Sequence, residues 1–190
     1  MIKIIRSVVV FLVCFVVITG VLYPLMITGI SQLLFASQAN GSLITMDNLI
    51  IGSELIGQQF DQPQYFWGRI SATSGTPYNA SASGGSNFSV MNPDLEAQVL
   101  ARMTALQEAD PSNPLPIPVD LVTSSASGLD ADISIEAAEY QAARVAAARG
   151  ISLEQVEALI QQNTHRRILG ILGENTVNVL GLNLALDALQ

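Results

Sequence analysis

The sequence predicts an α+β protein: one N-terminal transmembrane helix followed by a single extracytoplasmic domain of mixed α/β structure. Three observations carry this expectation. No side chain from Ser7 to Met46 is charged, and Val8 through Ile18 is unbroken apolar sequence. Residues 40–91 are rich in Gly, Ser, Asn and aromatics and poor in helix signals. From Asn92 onward, helix start and stop signals recur.

The apolar block comes first. A helix needs roughly 20 apolar residues to cross the hydrocarbon core of a bilayer, and residues 7–30 supply that length. Thr19, Gly20 and Tyr23-Pro24 interrupt the run before Leu25–Phe35 resumes it. Glycine and proline are tolerated in such helices, and Pro24, which lacks an N–H, predicts a kink. Ser7, Thr19, Gly20 and Gly29 are small enough to let neighbouring helices approach closely, so Gly20 is an interface candidate. Ser37-Gln38-Ala39 resembles a signal-peptidase site, but it lies too far from Val8–Ile18 for a short signal core. A retained anchor is therefore expected. Lys3 and Arg6 are the only basic residues beside it, which places the N-terminus in the cytoplasm by the positive-inside rule. The expected division is 1–6 cytoplasmic, 7–35 membrane anchor and 36–190 extracytoplasmic.

In the domain that follows, Leu49-Ile50-Ile51 and Glu54-Leu55-Ile56 read as short strands between turns at Gly52 and Gly57. Residues 71–89 read as loop. Asn92 is an N-cap before Pro93, with Asp94 and Glu96 complementing the dipole, and this helix should reach about Ala109. Pro111, Pro114, Pro116 and Pro118 make an extended linker, and Val119–Thr123 reads as a strand. Ser134 caps a helix to about Arg149 that Gly150 ends. Ser152 with Gln155 forms a capping box for a helix to about Gln162. Val177–Leu189 suits helix or strand, and the face made by Leu182, Leu186 and Leu189 favours helix.

Charge separates function classes. After Asn40 six arginines, no lysine and all sixteen carboxylates give a net charge of −10, within a chain total of −8. That sign opposes nucleic-acid binding. The chain has no GxxxxGK[ST] loop, no DKTG, no HExxH, no CxxC and no GxSxG. His165 is the single histidine and Cys14 the single cysteine. No metal site and no catalytic residue are expected, and His165 beside Arg166 and Arg167 reads as a solvated helix end. Gly84-Gly85-Ser86-Asn87 admits two readings. A Gly-rich turn can cradle an anion with backbone N–H groups, and it can equally be a plain surface turn; Gly84, Gly85, Ser86 and Asn87 are therefore weak cofactor-binding candidates. Tyr65-Phe66-Trp67-Gly68-Arg69 is either core or, because Trp, Tyr and Arg are enriched at hot spots, an interface with Tyr65, Trp67 and Arg69 as anchors. A membrane-anchored extracytoplasmic enzyme and a structural surface protein are the alternative functions.

The same segments, in order, resemble the C subunit family of Kdp potassium-transporting P-type ATPases. The resemblance runs through Thr19-Gly20, Tyr23-Pro24-Leu25, Ala39-Asn40-Gly41-Ser42-Leu43, Leu55-Ile56-Gly57-Gln58, Pro77-Tyr78-Asn79 and Ala82-Ser83-Gly84-Gly85-Ser86-Asn87. It continues through Ser125-Ala126-Ser127-Gly128-Leu129-Asp130 and Leu182-Asn183-Leu184-Ala185-Leu186-Asp187. It implies a non-catalytic subunit needed for assembly and activity. The implied partners are a channel-like potassium-selecting subunit, a P-type catalytic subunit, a small accessory peptide and the lipid bilayer. It also implies a catalytic chaperone that raises the ATP affinity of the catalytic subunit, with no cofactor of its own and ATP met through that subunit. The expected topology stands against direct contact, because ATP is cytoplasmic. A C-terminal reporter active only outside the cytoplasm is expected to be active in whole cells; activity of a cytoplasm-only reporter instead would overturn the topology.

Overall fold

In the computed structural model, which describes residues 1–189, the chain divides into two units, Met1–Ile51 and residues 52 onward. The first begins with a helical rod of 33 residues, Ile2–Leu34. At about 1.5 Å per residue it is roughly 50 Å long, more than the roughly 30 Å hydrocarbon core. It comprises α1 (Ile2–Val17), a π-helical turn (Ile18–Leu22) and α2 (Tyr23–Leu34). The π turn lies just ahead of Pro24, whose ring crowds the preceding turn and whose missing N–H leaves a carbonyl free. Thr19 Oγ1 donates back to the Phe15 carbonyl at 2.7 Å. The helix starts at Ile2, so Lys3 and Arg6 belong to its first turns. None of its residues is buried.

After the short helix α3 (Ala36–Ala39), β1 (Leu43–Met46) and β2 (Leu49–Ser53) form a two-stranded sheet. Asp47 and Asn48 join them, both at positive φ (52° and 64°), as a two-residue hairpin turn requires. Leu49–Ile51 is a strand as expected. Glu54–Ile56 is not: Ser53 Oγ accepts from Leu55 N at 3.1 Å and closes a turn, and only one bridge, Ser53 to Ile56, forms.

The second unit holds α4 (Pro93–Ala109), α5 (Val119–Val122), β3 (Asp132–Ser134), α6 (Ile135–Arg149), α7 (Leu153–Gln162), β4 (Thr164–His165), β5 (Thr176–Asn178) and α8 (Val179–Asp187). The predicted caps operate. Asn92 accepts from Asp94 N, Ser134 accepts from Ala137 N, and Ser152 and Gln155 make a reciprocal box. Gly150 ends α6 at φ 67°. Val119–Thr123 is not a strand. Leu121 and Val122 are both buried, and neighbours in a strand would point to opposite faces; one helical turn after Pro118 turns both inward.

A three-stranded antiparallel sheet in the order β3-β5-β4 lies between the helices in sequence. It pairs Ile133 with Val177 and His165 with Thr176. His165 is thus a strand residue, not a helix end. Phe66, Leu106, Leu121, Ile133, Val145, Val156, Val177, Leu182 and Leu186 form the core. Ala137, Ala138, Ala142 and Ala146 keep the inner face of α6 narrow.

That narrow face receives an extended segment with no strand beside it. Phe66 N–H donates to Asn183 Oδ1 at 2.8 Å, and Asn183 Nδ2 donates to the Phe66 carbonyl at 3.0 Å. Trp67 N–H donates to Gln141 Oε1 at 2.9 Å, and Gln141 Nε2 donates to the Trp67 carbonyl at 3.1 Å. Two side-chain amides do here what a neighbouring strand would do. Asn183→Ala strands a backbone donor and acceptor in a dry core, and each such group costs about 1–3 kcal/mol. Urea unfolding of the detergent-solubilised chain should show a loss of about 2–4 kcal/mol with little change in slope.

Candidate functional site

Trp67 is buried between two guanidinium groups. Arg102 lies 5.0 Å and Arg144 4.7 Å from its ring centre, and its Nε1 donates to the Gln62 carbonyl at 3.0 Å. Arg102 donates to the carbonyls of Leu121 (3.0 Å) and Gly68 (2.9 Å). Arg144 donates to those of Pro63 and Tyr65 and to Gln141 Oε1. Burial pushes both guanidinium pKa values down, that of Arg144 to about 10, so Arg144 stays charged at neutral pH. Arg149 lies over Tyr65 and donates to the Gln64 carbonyl and to Asp187, which also accepts from the Tyr65 hydroxyl. These arginines act as struts. They hold the carbonyls of Pro63, Gln64, Tyr65 and Gly68, on either side of the two that Asn183 and Gln141 hold.

Beyond Gly68 the chain enters a clamp. Tyr78, at φ 55°, donates its hydroxyl to the Arg69 carbonyl at 2.7 Å and its N–H to Ser71 Oγ at 2.8 Å. A Cβ on Gly68 would come within 2.7 Å of the Tyr78 hydroxyl and would displace it from this position. Arg69 pairs with Asp130 at 3.0 Å and reaches the Ser124 carbonyl. Loop 71–89 then closes over residues 124–128. Gly84 N–H donates to the Ser127 carbonyl at 2.8 Å, Ser86 Oγ meets Ser124 Oγ at 2.9 Å, and Ser71 Oγ donates to the Gly128 carbonyl at 2.7 Å. A Cβ on Gly85 would stand 2.9 Å from the Ala126 carbonyl oxygen. Asn87, at φ 51°, donates to the Gly85 carbonyl. The glycines thus allow backbone to lie on backbone. The Gly84 N–H and the Ser86 hydroxyl are engaged within the protein.

Clefts open at several places on this unit, and two of them include Arg69 of the clamp. One of about 360 Å³ lies among Phe60, Arg69, Tyr78, Gln98 and Arg102. A second, of about 500 Å³, includes Glu139, Glu157 and Arg166. A third, of about 610 Å³, is lined by Asp120, Asp130, Asp132, Glu136 and Glu174. Most carboxylates of the third are already used. Asp120 accepts from Ser134 N at 2.8 Å. Asp132 accepts from Thr176 Oγ1 (2.7 Å) and Asn178 Nδ2 (3.0 Å), with His165 Nδ1 at 3.7 Å. Glu136 is exposed to solvent. Among the described residues no cluster of side chains is suited to hold a metal.

The residues singled out in the sequence therefore lie apart. Tyr65, Trp67 and Arg69 run along the segment that carries the arginine struts, with Trp67 inside the core and Tyr65 and Arg69 at its edge. Gly84 to Asn87 lie in the clamp. Gly20 belongs to the N-terminal unit and would accept a Cβ without contact. Gln141, Arg144 and Asn183, which position all of this, stand out in the sequence as polar residues on otherwise apolar helix faces, and Asn183 also falls in the Leu182–Asp187 run that carries the family resemblance.

The sequence profile described as "KdpC: K+-transporting ATPase, c chain" matches residues 5–188. The chain belongs to this family. Among its KdpC relatives, a "Potassium-transporting ATPase KdpC subunit" of Herpetosiphon aurantiacus is 60% identical, over 94% of this chain and 93% of that one. One of Burkholderia ambifaria is 56% identical over 98% and 96%, and one of Methylococcus capsulatus is 59% identical over 91% of each. The collinear KdpC resemblance noted in the sequence thus extends over nearly the full length of the chain.

Burial pushes the Tyr78 phenol from 10.0 up to about 12. A raised folded-state pKa favours the protonated form, so this stabilisation is present below pH 10 and is lost as pH rises through 12. Tyr78→Phe should cost about 1 kcal/mol at neutral pH, from the lost bond to the Arg69 carbonyl. The gap to the unsubstituted protein should shrink as pH rises from about 10 to 12; a gap that stays constant would refute the burial.

Proposed function

We propose that this chain is the non-catalytic C subunit of an ATP-driven potassium uptake complex. The KdpC family match over residues 5–188 carries this reading. An apolar 33-residue helix without a buried residue supports an anchor that meets lipid and neighbouring helices. The partners are a channel-like potassium-selecting subunit, a P-type catalytic subunit and a small accessory peptide. The domain lies on the extracytoplasmic face, near where potassium enters. It acts through assembly and through its negative charge.

Charge can do only part of this work. Exposed carboxylates raise the local cation concentration modestly, and salt screens them beyond roughly 8–10 Å. They do not select potassium over sodium, which requires a cage of oxygens that replaces the hydration shell; that cage belongs to the channel-like subunit. A rise in ATP affinity is transmitted through the anchor and partner helices, without nucleotide on this chain. The engagement of Gly84 N–H by Ser127 and of Ser86 Oγ by Ser124 supports that division of labour.

Reconstitution of the complex with and without this chain tests the proposal. Omission is expected to lower potassium-stimulated ATP hydrolysis at least about tenfold, equivalent to about 1.4 kcal/mol of transition-state stabilisation. Calorimetric titration of the full chain alone with ATP should show no micromolar binding. Glu136→Gln with Glu139→Gln, both exposed positions, should weaken apparent potassium affinity at low ionic strength and leave the potassium-to-sodium preference unchanged. ATP hydrolysis by the isolated chain, or full activity without it, would defeat the reading.

A further inference from the structure

The hairpin between β4 and β5 projects an apolar tip. Ile168, Leu169, Ile171 and Leu172 are 69, 86, 76 and 58% exposed. Single exposed aliphatics need no explanation, but contiguous ones mark interaction sites. The tip has a defined shape. Ile168 N–H donates to the Leu172 carbonyl at 2.9 Å, and Leu172 N–H returns to the Ile168 carbonyl at 3.0 Å. Below it, Arg167 N–H donates to Asn175 Oδ1 at 3.1 Å, and Arg167 pairs with Glu174. The base is tied to the sheet by Thr164–Val177 and His165–Thr176 pairing. Leu169 sits at φ 55° and Gly170 at φ 74°. An αL position suits Asn or Gly, so the turn itself does not call for leucine there.

A second observation coincides with the first. In the acidic domain, Arg69, Arg102, Arg144 and Arg149 are held against carbonyls, rings or carboxylates. Arg166 and Arg167 are the two arginines with an exposed surface among the described residues 52–189. They stand at the neck of the apolar tip. Four exposed aliphatics and the two exposed arginines of this unit therefore share one hairpin.

We propose that the 166–173 hairpin is a docking finger that inserts its Ile168–Leu172 tip into an apolar cleft, rimmed by carboxylates, on a membrane-embedded sister subunit of the ATPase. This rests on the subunit reading above and names the element that makes the contact. Charge complementarity selects the rim, because Arg166 would meet acids there, while Arg167 is held at the neck by Glu174. The absence of Trp and Tyr from residues 164–176 argues for a protein cleft over a lipid headgroup layer, where those residues are enriched. A turn with fixed hydrogen bonds fits a shaped pocket, and buried anchors of this kind dominate interface energies.

The test uses the full chain co-produced with the other subunits. A photocrosslinking amino acid at position 169 is expected to give one dominant adduct to a membrane-embedded sister subunit. Leu169→Asn, which suits the αL turn, and Leu169→Asn with Ile171→Ser should each lower copurification of the complex, the pair by about tenfold or more, while the thermal unfolding of the variant chain stays unchanged. Arg166→Glu with Arg167→Glu should weaken copurification further at low salt. A lipid adduct, or no adduct in an intact complex, would overturn the finger. So would copurification unaltered by the tip variants, with the subunit reading left standing. If the unsubstituted chain itself fails to copurify with the ATPase, both readings fall.

Discussion

Two amide side chains carry a length of backbone into the core. Asn183 of α8 and Gln141 of α6 each give one donor and one acceptor to consecutive residues, Phe66 and Trp67. A buried N–H or C=O without a partner is costly, so an extended segment inside a domain ordinarily needs a strand on at least one side. Here the helices themselves supply the ladder. Once the segment is fixed, Phe66 fills the core, Trp67 lies between Arg102 and Arg144, and Gly68 and Arg69 arrive where Tyr78 and Asp130 hold them. The clamp over residues 124–128 follows from that placement.

The same constraint explains how an acidic domain uses its few cations. Arg102, Arg144 and Arg149 bind backbone carbonyls of the segment rather than forming a surface network. Guanidinium suits this role because it offers five donors in a fixed plane and stacks on aromatic faces. With these turned inward, the outer surface keeps nearly all the negative charge. That asymmetry underlies both the electrostatic part of the proposed function and the contrast presented by Arg166 and Arg167.

The glycine- and serine-rich stretch illustrates how one composition serves different ends. Gly84, Gly85 and Ser86 could have formed an anion nest, which needs backbone N–H groups pointing into an open concavity. In the fold, Gly85 presses on the Ala126 backbone and Gly84 donates to Ser127. The small residues provide close approach between two loops, and their hydroxyls and N–H groups join those loops together. A part of a larger machine gains from this, because a loop pinned along its length presents a fixed surface to its neighbours at little conformational entropy cost on association.

By itself the sequence determined what depends on local chemistry. The apolar N-terminal helix, the start of α4 at Asn92-Pro93, α6 between Ser134 and Gly150 and the capping box of α7 all follow from side chains acting on backbone within a few residues. Tertiary structure decided the rest. Strands β3, β4 and β5 are two or three residues long, too short to show a period, and exist because the register brings Ile133 beside Val177. Val119–Val122 became a helical turn because Leu121 and Val122 both had to face inward. Glu54–Ile56 closed a turn on Ser53 rather than pairing. The amide ladder was illegible for the same reason. Gln141 and Asn183 stand 74 and 117 positions from the backbone they satisfy, and a hydrogen bond across that distance is set by how the helices pack, not by any pattern near either partner.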